Sequence, residues 1–284
     1  IFGKRQILVY ANATTPSTMT LSDTVEGIGC IARDSIQTTS TDVLFLSNSG
    51  VRSLMRTIQE KSAPERDLSK NIRNDLMGTV AGETLANIKS VYSERQAFYL
   101  LVTPSIDTTW CFDTKAFLPD GAARVTTWDS ITPKSLLSKR DGSLLVGQNG
   151  YIGLYNTYQD YNEAYRFLYY TNHADLGDQN VTSILKKLSI VVIGGTNQDV
   201  TFKWGFDFKT NYLSDNASIP EQDVYYYGIA EYGANATTVA YYSDGVALQT
   251  LNVSASGAGK VVQTGYEADI NGTALSIQKI EIQA

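Results

Sequence analysis

Three acidic pairs have the residue type that hydrolytic acid and base chemistry requires, one carboxyl to protonate a leaving group and one to activate water or attack directly. They are Asp107 with Asp113, Asp160 with Glu163, and Asp175 with Asp178. The chain holds 29 acidic residues, so pairs at these spacings also arise by composition alone. His173, the single histidine, sits among Tyr169, Tyr170, Thr171, Asn172 and Asp175. It could orient a ligand, but without a second histidine or a cysteine nearby it reads as a turn residue. Cys30 and Cys111 lie far apart, with no CxxC or Cys/His partner, which excludes structural zinc. They are expected to be two buried, reduced thiols in neighbouring strands.

Sequence motifs add no catalytic signature. There is no nucleophile elbow, P-loop, dinucleotide fingerprint, HExxH or EF-hand loop, and Gly194-Gly195 and Gly257-Ala258-Gly259 read as turns. A sialidase-type aspartate box does not match at residues 138–144, because Arg140 stands where its aspartate belongs. The expectation is a protein that is not an enzyme, with no catalytic, cofactor-binding or metal-ligating residues and no cofactor. Tyrosine is a different matter. Tyr151, Tyr155, Tyr158, Tyr161, Tyr165, Tyr169 and Tyr170 cluster, followed by 225–227 and Tyr241-Tyr242. Each ring offers an apolar face and a polar tip, which suits glycans or protein partners as well as ordinary sheet packing. Six N-x-S/T sequons begin at Asn12, Asn180, Asn216, Asn235, Asn252 and Asn271 and are attributed to composition.

The elements that would carry these residues are mostly strands. Charged residues make up only 18% of 284, against about 25% on average. The formal net charge of −6 comes without a basic stripe, so tight phosphate or anionic-membrane binding is not expected. No apolar stretch approaches bilayer length. Val200, Phe202, Trp204, Phe206 and Phe208 alternate with Thr201, Lys203, Gly205 and Asp207, the period of a strand with one buried face. Further strands are expected over 183–193, 224–230, 238–242 and 245–254. The closing run Leu275, Ile277, Ile280, Ile282 changes phase, which predicts a β-bulge near Gln278. Helical spacing occurs once, at Leu68, Ile72, Leu76 and Val80, with a second helical turn or two over 83–91, giving a helical insertion of about 57–92.

An internal repeat aligns 44–54 with 144–154, each read as strand, tight glycine turn and strand, with turns at Ser49-Gly50 and Asn149-Gly150. A third unit runs through 97–102, 109–113 and 124–128. The resulting expectation is a mainly β chain. Propeller-type blades over 1–170, with the short helical insertion, are followed by a β-sandwich domain over 171–284. Residues 28–170 supply about three blades where closure needs about four to eight, so the others are expected from a longer chain or a partner.

The run Asp42-Val43-Leu44-Phe45-Leu46-Ser47-Asn48-Ser49-Gly50-Val51-Arg52-Ser53-Leu54, then Phe98-Tyr99-Leu100-Leu101-Val102-Thr103-Pro104 and Thr109-Trp110-Cys111-Phe112-Asp113, resembles the tail nozzle proteins (tail tubular protein B) of short-tailed bacteriophages. The likeness continues through 124–128 and 143–155, and more loosely through 271–282. What the resemblance implies is a structural virion protein of the phage tail. Six copies would form a homo-hexameric ring between the tail adaptor and tail fibre proteins. Double-stranded DNA would pass through its channel without tight binding, and the chain would not insert into a membrane. A glycan-binding or adhesive β module and a propeller-fold glycoside hydrolase stand as the alternatives.

Overall fold

The computed structural model describes residues 1–60, 67–177, 181–220 and 248–284. The chain is mainly β, with 49% strand and 10% helix, and among the described residues its strands form several sheets and no closed barrel. It divides into two compact units, Ile1–Asn156 and Thr157–Ala284.

In the first unit, β1 (Gln6–Ala11) and β2 (Thr20–Glu26) form an antiparallel hairpin. Three antiparallel meanders follow in chain order. The first is β3 (Gln37–Thr38), β4 (Val43–Ser47) and β5 (Gly50–Ser53). The second is β6 (Lys89–Ser93), β7 (Phe98–Thr103), β8 (Thr108–Asp113) and β9 (Arg124–Trp128). The third is β10 (Ser135–Ser138), β11 (Leu144–Gln148) and β12 (Tyr151–Leu154). Both repeated segments are hairpins. In β11–β12 the turn is Asn149-Gly150 as expected, with Gly150 at φ +88°, where a side chain would be strained. In β4–β5 it is Asn48-Ser49, one residue earlier than expected, because Ser47 pairs with Gly50 and its hydroxyl donates to the Gly50 carbonyl.

Side-chain alternation then layers these sheets. Tyr99, Leu101, Trp110 and Phe112 of the second meander join Leu44, Leu46 and Val51 of the first in one apolar cluster. From its opposite face, Phe98, Leu100 and Cys111 join Leu144 and Val146 of the third. The outer face of the first meander, through Phe45, meets Ile7 and Val25 of the β1–β2 hairpin. Period-two strands therefore stack three sheets, with the middle one covered on both faces.

Among the described residues, helix occupies less of the insertion than the sequence predicts. α1 (Leu54–Glu60) starts earlier, a 3-10 turn spans Lys70–Ile72, and α2 (Arg73–Gly82) buries Leu76 and Val80 against the first two meanders. Residues 83–91 are not helical. Glu83 stops α2 because its carboxylate accepts the Ser105 N–H at 2.6 Å and the Ser105 hydroxyl at 2.8 Å, and β6 begins at Lys89.

The second unit begins at Thr157 rather than at residue 171. The cause is β13 (Tyr165–Tyr170), which is hydrogen-bonded along its length to β21 (Val261–Ile270). β21 also pairs with β14 (Ala174–Asp175) and β17 (Asp199–Phe206), and β17 pairs with β18 (Leu213–Ser218). Around β16 (Lys187–Gly194) lie β19 (Leu248–Ser254) and β22 (Leu275–Gln283), and β15 (Ser183–Ile184) pairs with β20 (Ala258–Gly259). One core cluster contains Val200, Phe202, Trp204 and Tyr266 from the first of these sheets and Leu188, Ile190, Val192 and Leu251 from the second.

The alternating pattern holds through Trp204 and Phe206, but Asp207 and Phe208 turn away with φ of +54° and +60°, leaving Phe208 73% exposed. Asp207 makes that turn by accepting the N–H groups of Lys260 and Val261. The bulge near Gln278 is present: Val191 pairs with Lys279 and Val192 with Ile277, so Gln278 is skipped. The strands expected over 224–230 and 238–242 lie outside the described residues.

Candidate functional site

The sequence-derived acidic pairs do not assemble into one site. Asp107, at φ +49°, sits in the turn before β8, whereas Asp113 is the last residue of that strand and accepts the Lys115 N–H. Asp160 and Glu163 do meet, through reciprocal backbone hydrogen bonds across a two-residue turn whose Tyr161 and Asn162 have positive φ. Burial, and then the nearby Glu163 charge, raise the Asp160 pKa. Asp175 lies in β14, and Asp178 is outside the described residues. In the turn between β10 and β11, Asp141 accepts both the N–H and the hydroxyl of Ser143. His173 is half-buried with its ring 4.2 Å from that of Phe208. Among the described residues, no group of three or more His, Cys, Asp or Glu side chains could hold a metal ion.

Both thiols are free and buried, but not in neighbouring strands. Cys30 occupies the loop after β2, beside Phe45, and Cys111 lies in β8. Burial pushes the Cys111 thiol up to about 12, which leaves it un-ionised and inert at neutral pH.

Two surfaces stand out from the geometry instead. The first is the outer face of β10–β12. Register places Leu137, Leu145 and Leu154 in one cross-strand row, with Ile152 opposite Gly147 in the next. Ile152 is 76% exposed, Leu137 58% and Leu154 47%. The inner face of the same sheet, with Leu144 and Val146, is buried.

The second surface is the solvent-facing side of the β13–β21–β17–β18 sheet, centred on Glu267. Its side chain is only 7% exposed, and it accepts Arg166 at 2.5 Å, Lys203 at 2.6 Å and the Tyr170 hydroxyl at 2.5 Å. Burial raises its pKa, but the three donors, Lys203 foremost, outweigh that and hold it at about 2. The Tyr170 ring lies over Gly265, where a Cβ would come within 2.4 Å of it, so glycine is what admits the ring. Tyr212 meets Tyr170 edge-on at 5.7 Å and donates to Gln263. Alongside runs a cleft of about 420 Å³ lined by Arg166, Asn197, Asp199, Thr201, Asp269 and Asn271.

No protein-family model matches the chain, and no curated protein matches its sequence. The function therefore has to be argued from the two surfaces and the sheets that carry them.

The tyrosine cluster divides between the units. Tyr151 and Tyr155 belong to the first, where Tyr155 lies parallel to Trp128 with centroids 5.9 Å apart. Tyr165, Tyr169 and Tyr170 share β13 of the second. Sequence reasoning missed the Glu267 assembly because it missed β21. On that strand Thr264, Gly265, Tyr266, Glu267 and Ala268 are all buried, so polar and apolar residues share the interior and no clean period of two survives. The available signal was the wet-face parity of Lys203, which left a cation needing a cross-strand partner.

Proposed function

We propose that this chain is a structural virion protein, the nozzle subunit of a short-tailed phage, which acts by assembling into a ring around the DNA-ejection channel. The observation that carries this reading is the layered stack of three antiparallel meanders, built by the same segments whose sequence resembles the nozzle family. Residues 42–54 form β4–β5, 98–113 form β7–β8, 124–128 form β9 and 143–155 contain β11–β12. Successive meanders covering each other face to face is how propeller blades pack, and the apolar clusters on both sides of the middle meander support that finer description. The second unit is read as a β-sandwich, on the support of the core cluster shared by its two larger sheets.

In this reading no residue performs chemistry on a substrate, and the function is that of a wall. A net charge of −6 repels the phosphate backbone of passing DNA rather than arresting it. Duplex binding is then weak and abolished by modest salt. Electron microscopy of intact particles tests the assignment. Density for this chain in a six-fold ring on the tail axis is the expected result; density elsewhere, or a copy number that does not fit the ring, rejects it.

The glycan-binding alternative draws on one specific observation, the polar cleft of the second unit, one of whose lining residues, Glu267, accepts the Tyr170 hydroxyl. Glycan-array binding by the isolated chain that is lost with Asp269→Ala would favour it over the ring.

A further inference from the structure

Among the described residues of the first unit, the apolar outer face of β10–β12 is a sheet face left exposed, and the repeat within that unit indicates what covers such a face. At an offset of 100 residues, Leu144 and Val146 align with Leu44 and Leu46, and both pairs point inward into clusters shared with the middle meander. Leu145 aligns with Phe45. Phe45 is fully buried on the opposite face of β4, under the β1–β2 hairpin and Leu54 and Ile58 of α1. One member of the repeat thus has a hairpin over its outer face, and the other, among the described residues of the first unit, leaves Leu137, Ile152 and Leu154 exposed.

The covering hairpin has a second side of its own. Ile7 and Val25 point inward, so Leu8 and Tyr10 point outward. Tyr10 pairs with Leu21, which is 53% exposed, and Met19, just before β2, is 44% exposed. The stack therefore ends in two different apolar patches. The β10–β12 face between its exposed aliphatics carries only Ser135 and Gly147, and Lys139 at its edge is paired with Asp141 at 2.9 Å.

We propose that the outer face of β10–β12 is an interface between copies of this chain, covered by the outward side of the β1–β2 hairpin of the next copy. Because the two patches differ, the contact is heterologous, and each copy gives one and receives one; a rotation that closes makes a ring. Pairing of the β10–β12 face with itself would give a two-fold dimer and leave the hairpin patch in water. The inference rests on the ring reading and supplies it with a specific contact.

Two separately prepared full-length variants, Leu21→Cys and Ile152→Cys, test it when mixed and treated with a short bismaleimide. Both positions are exposed, and the native Cys30 and Cys111 are buried, so reaction reports on the contact. A covalent dimer formed in the mixture but by neither variant alone is the expected result. Ile152→Asp should then abolish assembly while the chain keeps its far-UV circular dichroism spectrum and a cooperative melt, with a melting temperature that no longer depends on concentration. Crosslinking of Ile152→Cys with itself, or a chain that stays monomeric at high concentration, overturns the contact. Six-fold rings that form without the mixed crosslink and survive Ile152→Asp overturn it too, while leaving the ring reading intact. A mixed crosslink in assemblies without six-fold symmetry supports the contact and refutes the ring reading.

Discussion

Glu267→Gln isolates the electrostatics of the second unit, since it removes the charge and keeps the shape. In the folded chain the carboxylate is 7% exposed and receives Lys203, Tyr170 and Arg166, and its pKa falls from the usual 4.5 to about 2. That fall, at about 1.4 kcal/mol per pH unit, corresponds to about 3 kcal/mol favouring the folded, ionised state. The Arg166 side chain is 62% exposed, so screening reduces the expected loss in the variant to about 2 kcal/mol at pH 7. The sign follows from the depressed pKa. The stabilisation is complete above pH 4.5, declines as the unfolded chain takes up its proton, and is gone once pH falls through about 2. Urea unfolding followed by Trp204 fluorescence, in a Trp110→Phe/Trp128→Phe background, reads this unit alone. The wild-type and variant midpoints should converge between pH 4.5 and 2. A variant within about 0.5 kcal/mol of wild type at pH 7, or one with the same pH slope across that window, refutes the reasoning.

Trp204→Ala should cost about 3 to 5 kcal/mol in urea unfolding followed by far-UV circular dichroism, because the indole is 3% exposed and its Nε1 donates to the Ser256 carbonyl at 2.8 Å. Glu83→Ala should destabilise the first unit by about 2 kcal/mol in urea, since it orphans the N–H groups of Thr84 and Ser105 that the carboxylate now accepts. An aromatic disulfide reagent should titrate no thiol in the native chain and two after unfolding, as both cysteines are free and buried; rapid labelling of native Cys111 would contradict its packing in β8.

Much of the fold could be read from local pattern. The alternation at 200–206 gave β17, the four-residue spacing from Leu68 to Val80 gave α2 with its preceding turn, and the phase change after Ile277 located the bulge at Gln278. These depend on neighbours along the chain. What escaped depends on partners far away. β13 was assigned to the first unit because nothing in 165–170 reveals that its partner is 261–270. Residues 83–91 carry apolar residues compatible with a helix, and only the pairing of Lys89, Ser90 and Val91 with Val102, Leu101 and Leu100 makes the last three of them strand. Glu267 was invisible for the same reason. Its role is created by Lys203 and Arg166 arriving from two other strands, and a lone glutamate in sequence carries no trace of them.

The burial of the middle meander has a consequence for how the first unit opens. β7 is buried at all six positions and is hydrogen-bonded to β6 on one side and β8 on the other. No local fluctuation can wet its amides without separating it from a neighbouring strand and parting sheets that share its two apolar clusters. Its backbone protons should therefore exchange with deuterium only through the largest opening this unit undergoes, whereas those on the outer edge of β12, which pairs with no further strand among the described residues, exchange by fraying. The order in which isotope enters the three meanders would record, strand by strand, how far from the centre of the stack each one lies.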